Sequence, residues 1–201
     1  QLVLSPQEKA WIKAHPVIRI GIDPGFAPYE MLSADGNYEG IAADWLALVS
    51  NRTGLKFELV GTGVWTDTVK AIQNKEIDLL PCIGKSKERS QFMLYSDPYL
   101  SFSRVMIARN EDEYHNMGDL AGKRIAVQED SSHHEFLKES TPAGLLLYPD
   151  FNEALLAVSR GEADAAIGNL AVASHRLRSL MLTNIKMTAY AENASNHLFM
   201  G

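Results

Sequence analysis

The sequence predicts an α/β fold made of two lobes of similar plan. Short apolar runs typical of buried strands alternate with helical periodicity, which indicates βαβ units around a mostly parallel sheet flanked by helices. This order occurs in residues 17–81 and again in residues 124–164. The closest internal match aligns residues 71–78 with residues 157–164, each a helix end, a Glu and an Asp that opens a buried strand. Chance explains that match alone equally well, but the repeated order favours two lobes.

Composition excludes several classes of protein. The 201 residues carry 19 Lys and Arg against 25 Asp and Glu, a net charge of −6 without the basic stripe that nucleic acid requires. No apolar run approaches the ~18–20 residues of a membrane span. The single cysteine, Cys82, excludes an internal disulfide framework and a Cys-rich zinc site, and we expect an inert core thiol. The start lacks the features of a signal peptide and an initiator Met, so we expect an excised segment of a longer protein.

The first helix has explicit start and stop signals. Ser5 is expected to cap it, Pro6 suits its first position and Glu8 completes a capping box. The helix is then predicted over residues 7–14 and ends before Pro16.

Periodicity and turn residues place the remaining elements. Asp35-Gly36-Asn37 predicts a tight hairpin turn, and Gly54 is expected to end a helix. The first half has predicted strands at residues 17–22, 57–60 and 78–81 and predicted helices at residues 41–53 and 66–74. The second half has predicted strands at residues 124–128 and 145–148 and predicted helices at residues 132–138 and 152–159.

Two chain crossings are expected to join the lobes, at residues 105–108 and 185–189. The expected division is a lead helix in residues 1–16, the first part of lobe 1 in 17–107, lobe 2 in 108–186 and a return segment to lobe 1, truncated at its end, in 187–201. Because ligands of open α/β sheets lie beyond the carboxyl ends of the strands, two such lobes predict a cleft between them.

Five motifs in a fixed order carry a family resemblance. They are residues 21–30 (GIDPGFAPYE), 77–80 with 86–89 (IDLL, SKER), 95–99 (YSDPY), 120–127 (LAGKRIAV) and 161–165 (GEADA). Together they resemble the family 3 extracellular solute-binding proteins. The resemblance implies the two-lobed type II periplasmic binding fold and a small-molecule ligand in the cleft, without a cofactor or metal.

Other segments are similar to a narrower branch, the periplasmic Venus-flytrap sensor domains of bacterial hybrid histidine kinases. These are residues 4–11, 15–19, 83–86 and 168–171. That similarity implies a periplasmic domain of an inner-membrane protein, in contact with the membrane only through flanking helices, and a homodimer in the full-length receptor. Kinase catalysis would lie outside these residues. The sequence does not choose between signalling by closure and signalling by opening.

Two alternatives remain open at this point. One is a soluble binding protein of an ABC transporter for amino acids or similar polar solutes. The other is the regulatory domain of a membrane-bound lytic transglycosylase, whose catalytic Glu lies in a separate domain. An enzyme within these residues is disfavoured, because the serine-nucleophile, phosphate-loop and His-Glu-x-x-His signatures are absent. His133 and His134 diverge by about 100° on a helix and are expected to be solvated.

Arg89 is the first candidate for ligand binding. The resemblance implies that an arginine here grips the ligand's carboxylate, and the planar guanidinium fork suits that task. Ser86 could add a hydroxyl and a backbone N–H. The alternative is a surface arginine paired with Glu88 or Asp97.

Other candidates from the first lobe are Phe26, Tyr29, Asp23, Trp65 and Gly84. Phe26 and Tyr29 follow the first strand, where the family stacks a ring on its ligand, although either could fill the core. Asp23 could bind an amine or hydroxyl, or could only cap a turn. Trp65 could line the cleft or pack at the start of the following helix.

The second lobe contributes Ser131, Ser132 and Asn169 as candidates. Both serines open a helix whose free N–H groups favour an anion, but Asp130 replaces a family glycine there, and simple N-capping is the alternative. Asn169 stands where amino-acid binders place an Asp that pairs with the ligand's ammonium. An ammonium would lose a charge-assisted hydrogen bond of about 1.5–3 kcal/mol. The ligand expected is therefore an amino acid or, with more weight, another carboxylate-bearing solute.

Overall fold

The computed structural model describes residues 2–61, 63–140 and 144–201; Gln1, where the lead segment is expected to begin, lies outside them. The helices are α1 (Pro6–Ala14), α2 (Ile41–Thr53), α3 (Trp65–Gln73), α4 (Ser132–Ser140), α5 (Phe151–Ser159) and α6 (Leu170–Ser179). The strands are β1 (Val17–Ile20), β2 (Met31–Leu32), β3 (Tyr38–Glu39), β4 (Lys56–Leu59), β5 (Ile83–Gly84), β6 (Leu100–Phe102), β7 (Arg104–Arg109), β8 (Arg124–Gln128), β9 (Gly144–Tyr148), β10 (Ala165–Asn169), β11 (Ile185–Tyr190) and β12 (Asn196–Phe199). Among the described residues, no helix combines the length and the apolar character needed to cross a membrane.

Local sequence signals fix the ends of the first two helices. The Ser5 hydroxyl accepts a hydrogen bond from the Glu8 N–H, and the Glu8 carboxylate accepts one from the Ser5 N–H, which confirms the capping box. Gly54 ends α2 with φ of 83°, the left-handed conformation that glycine adopts at low cost. The predicted hairpin is present as β2 and β3.

Lobe 1 contains a parallel pair and a short antiparallel sheet. β1 pairs in parallel with β4, and a single bridge joins Ile20 to Leu79 where a longer strand was predicted. Leu80 and Gly201 exchange two backbone hydrogen bonds of 2.7 and 3.0 Å. β12 lies between β5 and β6 and runs antiparallel to both. The last residues of the chain are therefore part of this lobe.

Lobe 2 is built on a five-stranded sheet of order β11-β7-β10-β8-β9. β8 pairs in parallel with β9, to which α4 connects it, and with β10, which follows α5, as expected. β7 runs antiparallel to β10 and β11, so the sheet is mixed. Because β7 and β11 belong wholly to this sheet, the expected boundaries at 107/108 and 186/187 fall inside these two strands. The chain passes between the lobes at Ser103 and residues 191–195.

The internal repeat has a structural counterpart in both lobes. Asp78 accepts hydrogen bonds from the backbone N (2.9 Å) and Nη2 (2.7 Å) of Arg19 on β1. Asp164 accepts the same two bonds, at 2.9 and 2.8 Å, from Arg124 on β8. In each lobe, an Arg of a strand thus bonds to the Asp of the repeated segment, which supports a common architecture for the two lobes.

Apolar packing continues from one lobe to the other. The buried residues of one cluster include Tyr29 and Phe102 of lobe 1 together with Val105 and Phe151 of lobe 2. A second cluster lies within lobe 2, and a third, around Trp65, within lobe 1. The lobes therefore meet over a shared apolar contact beside the cleft.

Candidate functional site

A small cavity lies where the facing edges of the two lobes meet. Its volume is about 40 Å³, room for a few water molecules and well below the several hundred Å³ of a typical ligand pocket. It is lined by Asp23, Phe26, Trp65, Cys82, Ile83, Gly84, Arg89, Gln128, Ser131, Ser132, His133 and Leu198. Seven of the ten residues singled out from the sequence line it; Ser86, Tyr29 and Asn169 do not.

Arg89 is buried at the centre of the contacts across the cleft. It begins a 3₁₀ helix (Arg89–Gln91), and the Ser86 hydroxyl accepts a hydrogen bond from its N–H. Nη1 donates to the Gly84 carbonyl (2.9 Å), and Nη2 donates to the Asp130 carbonyl of lobe 2. Nε lies 3.4 Å from Oε1 of Glu135 on α4. Burial lowers the pKa of Arg89, and the Glu135 carboxylate opposes that shift. The side chain is therefore not the surface arginine that the alternative prediction described.

The Asp130 carbonyl accepts a second bond from lobe 1. Trp65 Nε1 donates to it at 2.9 Å, and the Arg89 guanidinium lies over the Trp65 ring, 5.7 Å from its centre. Asp130 has φ of 54°, a left-handed conformation that glycine adopts more easily. That conformation accounts for the family glycine at this turn and places the carbonyl between the two donors.

Asp23 also makes a hydrogen bond between the lobes. Oδ2 accepts from Nε2 of Gln128 (2.9 Å), while Oδ1 accepts from the Gly25 N–H (2.8 Å). Asp23 thus caps its own turn and also contacts lobe 2. Burial raises the pKa of Asp23, and the hydrogen bonds from Gln128 and Gly25 oppose the shift.

A second carboxyl group, that of Glu30, lies next to Asp23. It accepts hydrogen bonds from the Asp23 N–H (3.2 Å) and the Tyr38 hydroxyl (2.9 Å). Burial raises the pKa of Glu30 to about 8, against the effect of these hydrogen bonds. Glu30 is therefore mostly protonated at neutral pH, which keeps a second buried charge away from Asp23.

The aromatic candidates occupy different surroundings. Phe26 lines the cavity, and its ring centre lies 5.1 Å from that of Tyr29. Tyr29 is buried in the core cluster that also contains Cys82 and Phe102. Burial raises the pKa of the Cys82 thiol well above its usual value, as expected for an unreactive core cysteine.

The polar candidates of lobe 2 cap helices. The Ser131 hydroxyl donates to the Gln128 carbonyl (2.7 Å) and accepts from the His134 N–H (3.1 Å). Asn169 is buried, and its Oδ1 accepts from the first N–H groups of α6, at 2.8 and 3.2 Å. Ser132 contacts the other lobe: a side chain at Gly84 would place its Cβ 2.9 Å from the Ser132 Oγ.

The prediction that His133 and His134 are solvated is wrong. The start of α4 points into the interface between the lobes, so both imidazoles are buried. Nδ1 of His133 accepts a hydrogen bond from Nε of Arg104 (3.0 Å), and that of His134 accepts from the Asp130 N–H (3.2 Å). Burial, with the charges of Arg104 and Arg89, lowers the pKa of His133, which is therefore neutral.

Sequence reasoning missed Gln128, Glu135 and His133 as residues of the site. Each lies on or beside the β8–α4 segment, far along the chain from the lobe 1 residues that it approaches. The only local signal was the serine-rich helix start next to them. Their part in the site follows from how the lobes face each other.

Two lobes joined by two crossings around a small cleft of polar and apolar side chains define the class of two-lobed solute-binding proteins. Residues 18–145 match the model of the bacterial extracellular solute-binding proteins, family 3, and the chain belongs to this family. The family resemblance drawn from the motifs is thereby confirmed. Membership places the chain outside the cytoplasm and makes it a solute-binding domain.

Similar proteins include sensors and transport proteins. The chain is 28% identical over 173 residues to the virulence sensor protein BvgS of Bordetella pertussis, covering 85% of this chain and 14% of BvgS. It is 22% identical over 187 residues to the ABC transporter arginine-binding protein 1 of Escherichia coli, covering 92% of this chain and 74% of that protein. A crystal structure of a histidine kinase sensor domain with similarity to periplasmic binding proteins superposes with a TM-score of 0.85 at 24% identity, covering 94% of this chain and 82% of that one. This last likeness confirms the fold.

Proposed function

We propose that the chain is the extracytoplasmic ligand-sensing domain of a sensor histidine kinase. A small solute binds between the lobes, and a change in their separation is the signal. The observation that carries the proposal is the convergence of contacts across the cleft on one cavity. Arg89 and Trp65 of lobe 1 bond to the Asp130 carbonyl, and Gln128 of lobe 2 bonds to Asp23.

The site is proposed to consist of the predicted residues that line the cavity. They are Asp23, Phe26, Trp65, Gly84, Arg89, Ser131 and Ser132. A solute that enters between them must exchange its own contacts for those that join the lobes. It can shift the lobes only by binding one arrangement more tightly than the other.

The two crossings are proposed to act as the hinge. Ser103 and residues 191–195 lie side by side, because the Ala191 N–H donates to the Arg104 carbonyl (2.9 Å). Short crossings of this kind absorb the rotation of two rigid bodies. The displacement is proposed to pass to the membrane through segments that flank this domain, within a homodimeric receptor.

The relatives support a sensor in preference to the alternatives. The higher of the two reported sequence identities is to a sensor protein, and the chain spans only 14% of that protein's length. The kinase activity of the parent is therefore a proposal about a longer protein. A soluble transport protein is the second candidate, since the chain covers 74% of an arginine-binding protein.

The discriminating experiment is to sequence the gene beyond the codon for Gly201. A reading frame that continues into a membrane-spanning segment and a histidine kinase core is the expected result. A stop codon shortly after one further strand and helix, beside ABC transporter genes, would overturn the proposal in favour of a transport protein. A downstream lysozyme-like domain would overturn it in favour of the transglycosylase.

A further inference from the structure

The Arg89 guanidinium has one edge that suits a carboxylate. The Nε–H and one Nη2–H bond are parallel and lie along one edge of the planar guanidinium, so two hydrogen bonds from this edge can bind both oxygens of a carboxylate. Nη1 is directed elsewhere, to the Gly84 carbonyl. The Nε–Nη2 edge is therefore where a ligand carboxylate would bind in the manner that the family resemblance implies.

Lobe 2 itself occupies that edge. Oε1 of Glu135 lies 3.4 Å from Nε, and the Asp130 carbonyl accepts from Nη2. The contact with the Glu135 carboxylate is an ion pair and that with the Asp130 carbonyl is a hydrogen bond, so each nitrogen of this edge has an oxygen partner from lobe 2. The chain thus provides its own oxygen pair to Arg89.

Because Arg89 is buried and Glu135 is partly buried, displacing Glu135 from Arg89 costs free energy. The side chains of Arg89 and Glu135 are 4% and 19% exposed, so water screens their attraction poorly. A competing carboxylate would have to remove Glu135 from its partner and leave that charge unpaired in a partly buried place.

We infer that Glu135 is a specificity-determining residue that, with the Asp130 carbonyl, fills the carboxylate position at Arg89. The cleft therefore selects polar solutes that lack a carboxylate. This inference rests on the proposed binding of a solute in the cleft. It replaces the carboxylate-bearing ligand expected from the sequence.

The test is chemical rescue of Glu135→Ala with acetate, which restores a carboxylate to the vacated place. We expect the variant to have a lower melting temperature than the parent and to regain stability saturably in sodium acetate, relative to sodium chloride at the same ionic strength. Ligand that binds only the native state raises stability by RT ln(1 + [L]/Kd). Glu139→Ala, one turn further along the exposed side of α4, is the matched control, and it should respond as little as the parent.

Two results would overturn the inference. Equal acetate shifts in the parent and Glu135→Ala would mean that the position at Arg89 is free in the parent. Absence of any shift in Glu135→Ala would mean that Glu135 does not hold a carboxylate position. Should Glu135→Ala fail to fold, Glu135→Ser also vacates the place and keeps a polar side chain, and the Arg89 Nε–H resonance reports acetate binding by NMR, with a shift expected only in the variant. None of these readouts involves a kinase, so they can fail while the gene sequence still supports a sensor.

Discussion

The Arg89 side chain contacts Gly84, Asp130 and Glu135. The sequence predicted a binding role for Arg89 but did not predict its partners in lobe 2. The motif resemblance identified the arginine, because its place in the motif is local. It could not identify Glu135 or Asp130, since these approach Arg89 only after both lobes have folded and faced each other. The same limit applies to Asp23, whose turn was predicted and whose bond to Gln128 was not.

Trp65→Phe should remove one hydrogen bond between the lobes while keeping a ring in the cavity wall. We expect a loss of about 1 kcal/mol in the free energy of unfolding, since a donor to the Asp130 carbonyl is lost. Urea denaturation measures it. Trp45→Phe, on the half-exposed face of α2, is the control and should change stability less. Equal effects of the two substitutions would contradict this role of the Trp65 indole.

Glu30 should make the stability of the protein depend on pH. Its pKa is about 8 in the folded protein against an ordinary 4.5, so the folded state holds an extra proton between these values. Protonated Glu30 therefore contributes its full share to the free energy of unfolding below about pH 4.5. This contribution decreases as the pH rises from 4.5 towards 8. The loss should be on the order of a few kcal/mol.

The matched comparison is Glu30→Gln, whose amide oxygen can still accept a hydrogen bond and whose side chain does not titrate. Its free energy of unfolding, measured with urea from pH 5 to pH 8, should rise relative to that of the parent as the pH increases. Parallel curves for the two proteins would show that Glu30 is ionised in the folded state.

Elements with local signals were predicted well, and elements defined by distant partners were not. The capping box of α1 and the Gly54 end of α2 are encoded within a few residues, and both are present. By contrast, three short strands of two to four residues each, β5, β6 and β12, depend on pairing between distant segments: β12 pairs with β5 and with β6. No local sequence pattern predicts such pairing. α6 did have a start signal in Asn169, but that residue was interpreted as a ligand contact and not as a helix cap.

The repeated segment offers a test of backbone strain. Lys75 and Gly161 occupy matching positions after α3 and α5, with φ of 60° and 76°. Only Gly161 has the residue type that this conformation favours. Lys75→Gly should therefore raise the free energy of unfolding by about 1 kcal/mol, because a side chain is removed from a left-handed position.

Gly161→Ala is the reciprocal control and should lower stability by a similar amount. Both values can be read from urea denaturation under one set of conditions. Destabilisation by Lys75→Gly would contradict the equivalence of the two positions.

On the scale of the whole molecule, the lobes meet at a hinge, an apolar contact and a polar cleft. The hinge is held by Arg104, which forms an ion pair with Glu192 of the second crossing and donates to His133 at the start of α4. The apolar contact includes Tyr29 and Phe102 of lobe 1 together with Val105 and Phe151 of lobe 2. Only the cleft depends on groups that a polar solute can replace, so we expect the separation of the lobes to be controlled there.

The central claim is that Arg89 fastens the two lobes across the cleft. Its most direct test is the distance between spin labels on Leu94→Cys in lobe 1 and Met181→Cys in lobe 2, positions 91% and 82% exposed, measured by pulsed EPR. Cys82 is buried and should stay unlabelled. Arg52→Ala, at the exposed end of α2, is the control for loss of an arginine. The account predicts one narrow distance distribution in the parent and in Arg52→Ala, and a longer, broader one in Arg89→Ala; an unchanged distribution in Arg89→Ala would contradict it.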